Sequence, residues 1–192
     1  MYAEPETWHA LMRQLTPTII RFLQVQIEAG VDAIQLFDSW AGYLTAADYR
    51  EYVRPYSAQI FEAVKPYGIP TFHFGVGTGE LLGDMALAGP DVVGIDWRVP
   101  MDDAAQRINV ALQRADGTEQ PQPKAIQGNL DPAVLGAGPA AVATQVDRIC
   151  AEADRAIAAG HARGHVFNLG HGVLPDTDPD AITRAFEEVH KR

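Results

Sequence analysis

The sequence predicts an α/β fold of the (β/α)8 TIM-barrel class, to which this chain contributes about five βα units. Three observations lead there. Short segments rich in β-branched or aromatic residues read as strands at 33–38, 69–75, 92–97, 125–130 and 165–170. Amphipathic helical stretches fill the intervals, an alternation that belongs to parallel sheets with right-handed crossovers. Every strand exit then carries polar or glycine chemistry. In a barrel that face builds a site from several strand ends at once, whereas a doubly wound sheet concentrates the signal at one switch point.

The elements follow in order. In TPTIIRFLQVQIEAG, 16–30, Thr16 reads as an N-cap, Pro17 as the first helical position and Gly30 as the stop. AIQLFD is the first strand, left through Asp38-Ser39-Trp40, and AADYREYVRPYSAQIFEAVKPYG is the next helical stretch. IPTFHFG is the second strand, with GVGTG at 75–79 after it, and GELLGDMALAG the helix that follows. VVGIDW is the third, left through Asp96-Trp97-Arg98, followed by helical DDAAQRINVALQRA. ADGTEQPQPK, 115–124, is polar and proline-bearing but bounded by a helix and a strand, so it reads as a surface loop and not a domain boundary. AIQGNL is the fourth strand, with Asn129-Leu130-Asp131-Pro132 at its end and PAAVATQVDRICAEADRAIAAG as its helix. HVFNLG is the fifth, with Val166–Leu169 expected to be buried; Gly170-His171-Gly172 and helical DPDAITRAFEEVHKR close the chain.

Composition narrows the function. With 47% hydrophobic and 21% charged residues the chain can bury a substantial core. Its 15 basic residues are scattered among 25 acidic ones, a net charge of -10, which disfavours a nucleic-acid or anionic-membrane surface and points to a small-molecule partner. No apolar run approaches the length needed to span a bilayer, and residues 1–30 carry glutamates and prolines where a signal peptide needs a basic start, so a cytoplasmic location is expected. The single cysteine, Cys150, sits at helical apolar spacing and reads as a buried small hydrophobe.

The stretch VFNLGHGVLPDTDPD, 166–180, places His171 between two glycines where a strand ends. Glycines free the backbone and remove neighbouring side chains, so the imidazole is either presented to something above the strand end or simply faces solvent. His73, alone in an apolar strand, reads as a hydrogen-bonded core residue. GVGTG lacks the full dinucleotide fingerprint and reads as loop geometry.

AGVDAIQLFDSWAGYL (29–44), DVVGIDW (91–97), IQGNLDP (126–132) and FNLGHGVLPDTDPD (167–180), in that order and at these spacings, resemble the uroporphyrinogen decarboxylase family of heme biosynthesis. The resemblance covers the whole chain and corresponds to the C-terminal part of the family sequence. In the family an arginine-rich segment, an aspartate and a tyrosine of the active site come earlier. MYAEPETWHALM resembles an internal stretch. Residues 1–192 are therefore expected to be the C-terminal portion of one barrel, without those groups.

The resemblance implies a homodimeric carboxy-lyase that uses no metal or organic cofactor and removes CO2 from the four acetate arms of uroporphyrinogen III, leaving coproporphyrinogen III. A pyrrole protonated beside its acetate-bearing carbon accepts the electrons that decarboxylation releases. The protein's part is then positioning and electrostatics. By resemblance, Ser39 hydrogen-bonds a substrate carboxylate, Phe37 packs against the tetrapyrrole, and His171 is catalytic and bonds the acidic arms or inner groups of the macrocycle. Two alternatives stay open: Ser39 as a turn cap and Phe37 as core packing. Asp96-Trp97 and Asn129–Asp131 match the family's signature, and their chemistry assigns them strand-end hydrogen bonding and loop shape. Two rival functions are a catalytically inactive barrel fragment and a cobalamin-linked methyltransferase of the same superfamily. The latter holds zinc through histidine and cysteines, and Val76 stands where a cysteine is expected.

Overall fold

The computed structural model describes residues 1–191. Five parallel strands form one sheet in chain order: β1 (Ile34–Phe37), β2 (Thr71–Phe74), β3 (Val92–Gly94), β4 (Ala125–Leu130) and β5 (His165–Leu169). The sheet curls. Gln127 Nε2 of β4 donates to Gln35 Oε1 of β1 at 3.4 Å, although two strands lie between them. At roughly 4.8 Å per strand, a flat sheet would hold β1 and β4 about 14 Å apart. The predicted barrel class is thus realised as an arc of five βα units.

The helical layer comprises α1 (Pro5–Glu28), α2 (Ala46–Tyr52), α3 (Arg54–Val64), α4 (Leu82–Leu87), α5 (Met101–Asp116), α6 (Pro139–Ala158) and α7 (Pro179–His190). The main core lies between β3, β4 and the helices from α4 onward, with Val93, Ile95, Ile108, Ile126, Val146 and Ile149 at 0–1% exposure. A smaller core joins α1 and α3 to β1 through Leu23, Ile60, Val64 and Ile34. Cys150 is half-buried against the main core, and residues 117–124 form the expected loop. Among the described residues, no helix is long and apolar enough to cross a membrane.

Three expectations need correction. Thr16 is not an N-cap: α1 begins at Pro5 and runs straight through Pro17, and the Thr16 hydroxyl donates back to the Met12 carbonyl at 2.8 Å. An interior proline costs about 3 kcal/mol. Tertiary contacts offset it, because Trp8 Nε1 donates to the Tyr52 carbonyl and His9 stacks on Tyr52, holding the first turns of α1 in register with α2 and α3. Gly30 does follow the helix end, after the cap residue Ala29. The stretch 46–68 is two helices and a 3-10 turn, since Pro55 has no N–H to continue α2 and instead opens α3 behind Val53. Finally, Val166–Leu169 is not buried. β5 is an edge of the sheet, so Val166 and Asn168 are exposed and Phe167 and Leu169 half-buried.

Candidate functional site

The C-terminal ends of the five strands meet through their backbones. Beyond β1, the Asp38 N–H donates to the Phe74 carbonyl at 2.7 Å, and the chain turns through Ser39 and Trp40 into a 3-10 turn at Ala41–Tyr43. Gly42 is what lets this turn touch the loop after β2: a Cβ there would lie 2.2 Å from the Val76 carbonyl oxygen. No side chain fits. Below, the Thr78 hydroxyl donates to the Gly75 carbonyl, closing GVGTG into the compact loop that was expected.

Asp96, 2% exposed at the end of β3, holds the neighbouring exits together. Its Oδ2 accepts from the Gly77 N–H at 2.5 Å and from Arg98 Nη1 at 2.6 Å, and its Oδ1 accepts from the Arg98 N–H at 3.0 Å. Asn129, at the end of β4, donates from Nδ2 to the carbonyls of Asp96 and Val99. Asp131 caps the following turn by accepting from the Ala133 N–H. These are the structural roles that sequence reasoning assigned to Asp96, Asn129 and Asp131.

His171 stands after β5 on the same rim. The Gly170 N–H donates to the Leu130 carbonyl, and a Cβ on Gly170 would fall 2.4 Å from the Trp97 nitrogen. The glycine before His171 is therefore required by the protein's own backbone, whatever approaches from outside. The His171 imidazole meets the Trp97 ring edge to face at 5.8 Å, and the Arg98 guanidinium lies 3.8 Å over that same ring.

Ser39 and His171, far apart in sequence, line one open cleft of about 530 Å³ with Trp40, Tyr43 and Arg98. Trp40 and Tyr43 stack with centroids 6.0 Å apart and are 76% and 84% exposed. Phe37 is 65% exposed and meets Phe74 at 6.1 Å, so it is not a core residue; it stands outside the cleft that holds Ser39 and His171. Ser39 caps no helix: Thr45 does that for α2, accepting from the Asp48 N–H. Sequence reasoning gave no role to Arg98, Trp40 or Tyr43. All three stand in the strand-exit turns Asp38-Ser39-Trp40-Ala41-Gly42-Tyr43 and Asp96-Trp97-Arg98, and that position was the available signal.

Behind the cleft His73 is fully buried, as expected of a core histidine. Its Nδ1 donates to the Met85 carbonyl at 3.4 Å, and its Nε2 faces Asp38 Oδ2 at 3.6 Å, where both atoms lack a hydrogen-bond partner. The nearby Tyr49 hydroxyl is held well above the usual phenol range, first by burial and then by the Asp38 charge. Among the described residues, no group of three or more His, Cys, Asp or Glu side chains is placed to hold a metal ion.

Residues 1–192 match the family model for uroporphyrinogen decarboxylase (URO-D). The chain is 60% identical over 190 residues to the uroporphyrinogen decarboxylases of Corynebacterium diphtheriae and Rhodococcus jostii, which covers 99% of this chain and 51% and 50% of theirs. It is 56% identical over 191 residues to that of Nocardia farcinica, covering the whole chain and 50% of the relative. The chain spans about half the length of the curated relatives it matches.

Proposed function

Because the chain belongs to the uroporphyrinogen decarboxylase family, we propose that the polypeptide carrying it removes CO2 from the four acetate side chains of uroporphyrinogen III, forming coproporphyrinogen III. Residues 1–192 are on this reading the C-terminal portion of a single barrel. The reaction proceeds without metal or organic cofactor, in a cytoplasmic homodimer that contacts neither nucleic acid nor membrane.

One observation carries the reading: the strand-end turns bring Ser39 and His171 onto a single aromatic-walled cleft at the C-terminal end of a parallel sheet. Its chemistry suits a polyacidic substrate with apolar ring faces. The Ser39 hydroxyl donates one hydrogen bond to a carboxylate oxygen, and the His171 imidazole offers an N–H at whichever nitrogen carries the proton. Trp40 and Tyr43 give apolar surface against the macrocycle, and the exposed ring of Phe37, outside the cleft, offers it a further apolar face. Nothing in this set acts as an electron sink, and none is needed. Protonation of the pyrrole beside the acetate-bearing carbon makes the cation that takes up the electron pair released with CO2. A second proton then converts the remaining exocyclic methylene to methyl, and loss of the first proton from the ring carbon restores the pyrrole, one proton being consumed for each CO2 released. The residues hold the carboxylates and keep the ring in the orientation for each proton transfer.

Incubating the natural polypeptide with uroporphyrinogen and resolving products by carboxylate number tests the reading. Stepwise loss from eight carboxylates to four is the expected result. His171→Ala should slow the loss or leave partly decarboxylated intermediates. A wild-type protein that returns the substrate unchanged refutes the reading.

A further inference from the structure

The cleft holding Ser39 and His171 has one permanently charged side chain on its lining, Arg98. We propose that Arg98 is a specificity-determining residue whose guanidinium receives a carboxylate of the substrate. The proposal rests on the decarboxylase reading above.

Arg98 is held on two sides. Nη1 donates to Asp96 Oδ2 at 2.6 Å, and the guanidinium plane lies 3.8 Å over the Trp97 ring. A tethered, stacked guanidinium has already given up most of its rotamer freedom, so a second carboxylate meets a preorganised fork. Donors remain for it. A guanidinium carries five N–H groups, and no hydrogen bond from Arg98 Nε or Nη2 occurs among the described residues.

Burial separates the two members of the pair. Asp96 is 2% exposed, while the Arg98 side chain is 51% exposed. The buried carboxylate is also bonded by the N–H groups of Gly77 and Arg98, so its charge is spread over donors besides the guanidinium. Asp96 accordingly fixes Arg98 from behind and leaves the outer edge of the fork facing the cleft. In a chain of net charge -10 a polyacidic ligand is repelled at long range, and a local cation at the binding surface has a correspondingly large effect. The substrate class that this geometry selects is a polyacid built on aromatic rings, with an acidic arm within reach of both Trp97 and Arg98.

A purely structural Arg98 would serve to neutralise Asp96, and its loss would lower the unfolding temperature without a charge-dependent effect on substrate binding. The test compares wild-type natural polypeptide with Arg98→Gln, Arg98→Lys and, as a remote control, Arg155→Gln, which removes a charge paired with Asp102 away from the cleft. Uroporphyrinogen turnover is measured over a range of substrate concentration and ionic strength, with thermal unfolding of each variant recorded alongside. Arg98→Gln should raise KM about tenfold while kcat falls less than about threefold, and KM should lose much of its dependence on salt. Arg98→Lys, which keeps the charge without the fork, should raise KM about threefold. Arg155→Gln should match wild type. A folded Arg98→Gln protein with a KM within about twofold of wild type overturns the proposal. Should Arg98→Gln not fold, Arg98→Lys decides: a raised KM at an unchanged unfolding temperature supports the proposal, and a wild-type KM overturns it. A wild-type protein inert toward uroporphyrinogen refutes the decarboxylase reading itself, a result that no Arg98 variant can produce.

Discussion

Replacing Asp96 by Ala removes three hydrogen bonds from one buried carboxylate, those from the Gly77 N–H, the Arg98 N–H and Arg98 Nη1. A hydrogen bond to a charged group contributes about 1.5–3 kcal/mol. The three share one acceptor and are not additive. All three freed donors belong to exposed residues, Gly77 and Arg98, and can turn to water, which reduces the cost further. The expected loss is about 2–4 kcal/mol, which for a polypeptide of the relatives' length, about twice that of this chain, lowers the unfolding temperature by about 2–6 °C. Asp96→Asn keeps the volume and one acceptor oxygen and should lose about half as much. Thermal unfolding of the natural polypeptide, followed by far-ultraviolet circular dichroism at neutral pH, reads both values. If Asp96→Ala unfolds within about 1 °C of wild type, Asp96 is not the tie between the β2 and β3 exits.

Three further outcomes are expected. His73→Ala should act through stability, by about 2–4 kcal/mol, because it empties a fully buried site and leaves the Asp38 carboxylate facing the gap; a denaturant titration that shows no shift refutes this. Burial lowers the His165 pKa below the usual imidazole value of 6.5, against the opposing effect of its Nε2 bond to the Gly128 carbonyl. Below about pH 6.5 the unfolded chain therefore takes up this proton before the folded one does. The contribution is complete above that pH and declines as pH falls toward the lower folded value; His165→Gln should flatten the decline in unfolding temperature between about pH 7 and pH 5. Expressed alone, the 192-residue chain should self-associate, since β1 and β5 each pair on one side and Phe22, Val166 and Phe186 are 66%, 42% and 62% exposed beside them. Light scattering that finds a stable monomer argues against it.

The strands were legible because each is a short apolar run bounded by punctuation that periodicity can read. Burial of β5 was not, because its apolar residues look the same whether the neighbouring position is occupied or open. Helix ends failed where tertiary contacts overrode local signals: Pro17 looks like a start until Trp8 and His9 are seen docked on Tyr52. At the site, Ser39 and His171 could be singled out through motif resemblance, and their meeting in one cleft followed from the barrel's common rim. Arg98 stood in plain view in the third strand exit. What one sequence could not supply was the pairing of Asp96 with Gly77 across two loops, which turns a strand-end arginine into a fixed one.

The close backbone approaches at Gly42 and Gly170 have a consequence for how this cleft can change over evolutionary time. With spaces of 2.2 Å and 2.4 Å where a Cβ would stand, neither position accepts even alanine without parting the loops. Part of the rim is thus written in main chain and is closed to point mutation, whereas Trp40, Tyr43, Arg98 and His171 extend from it on ordinary side chains. Descendants of this sequence can retune what the cleft prefers one residue at a time, but a change in the spacing of its walls requires insertion, deletion or a concerted exchange in both loops.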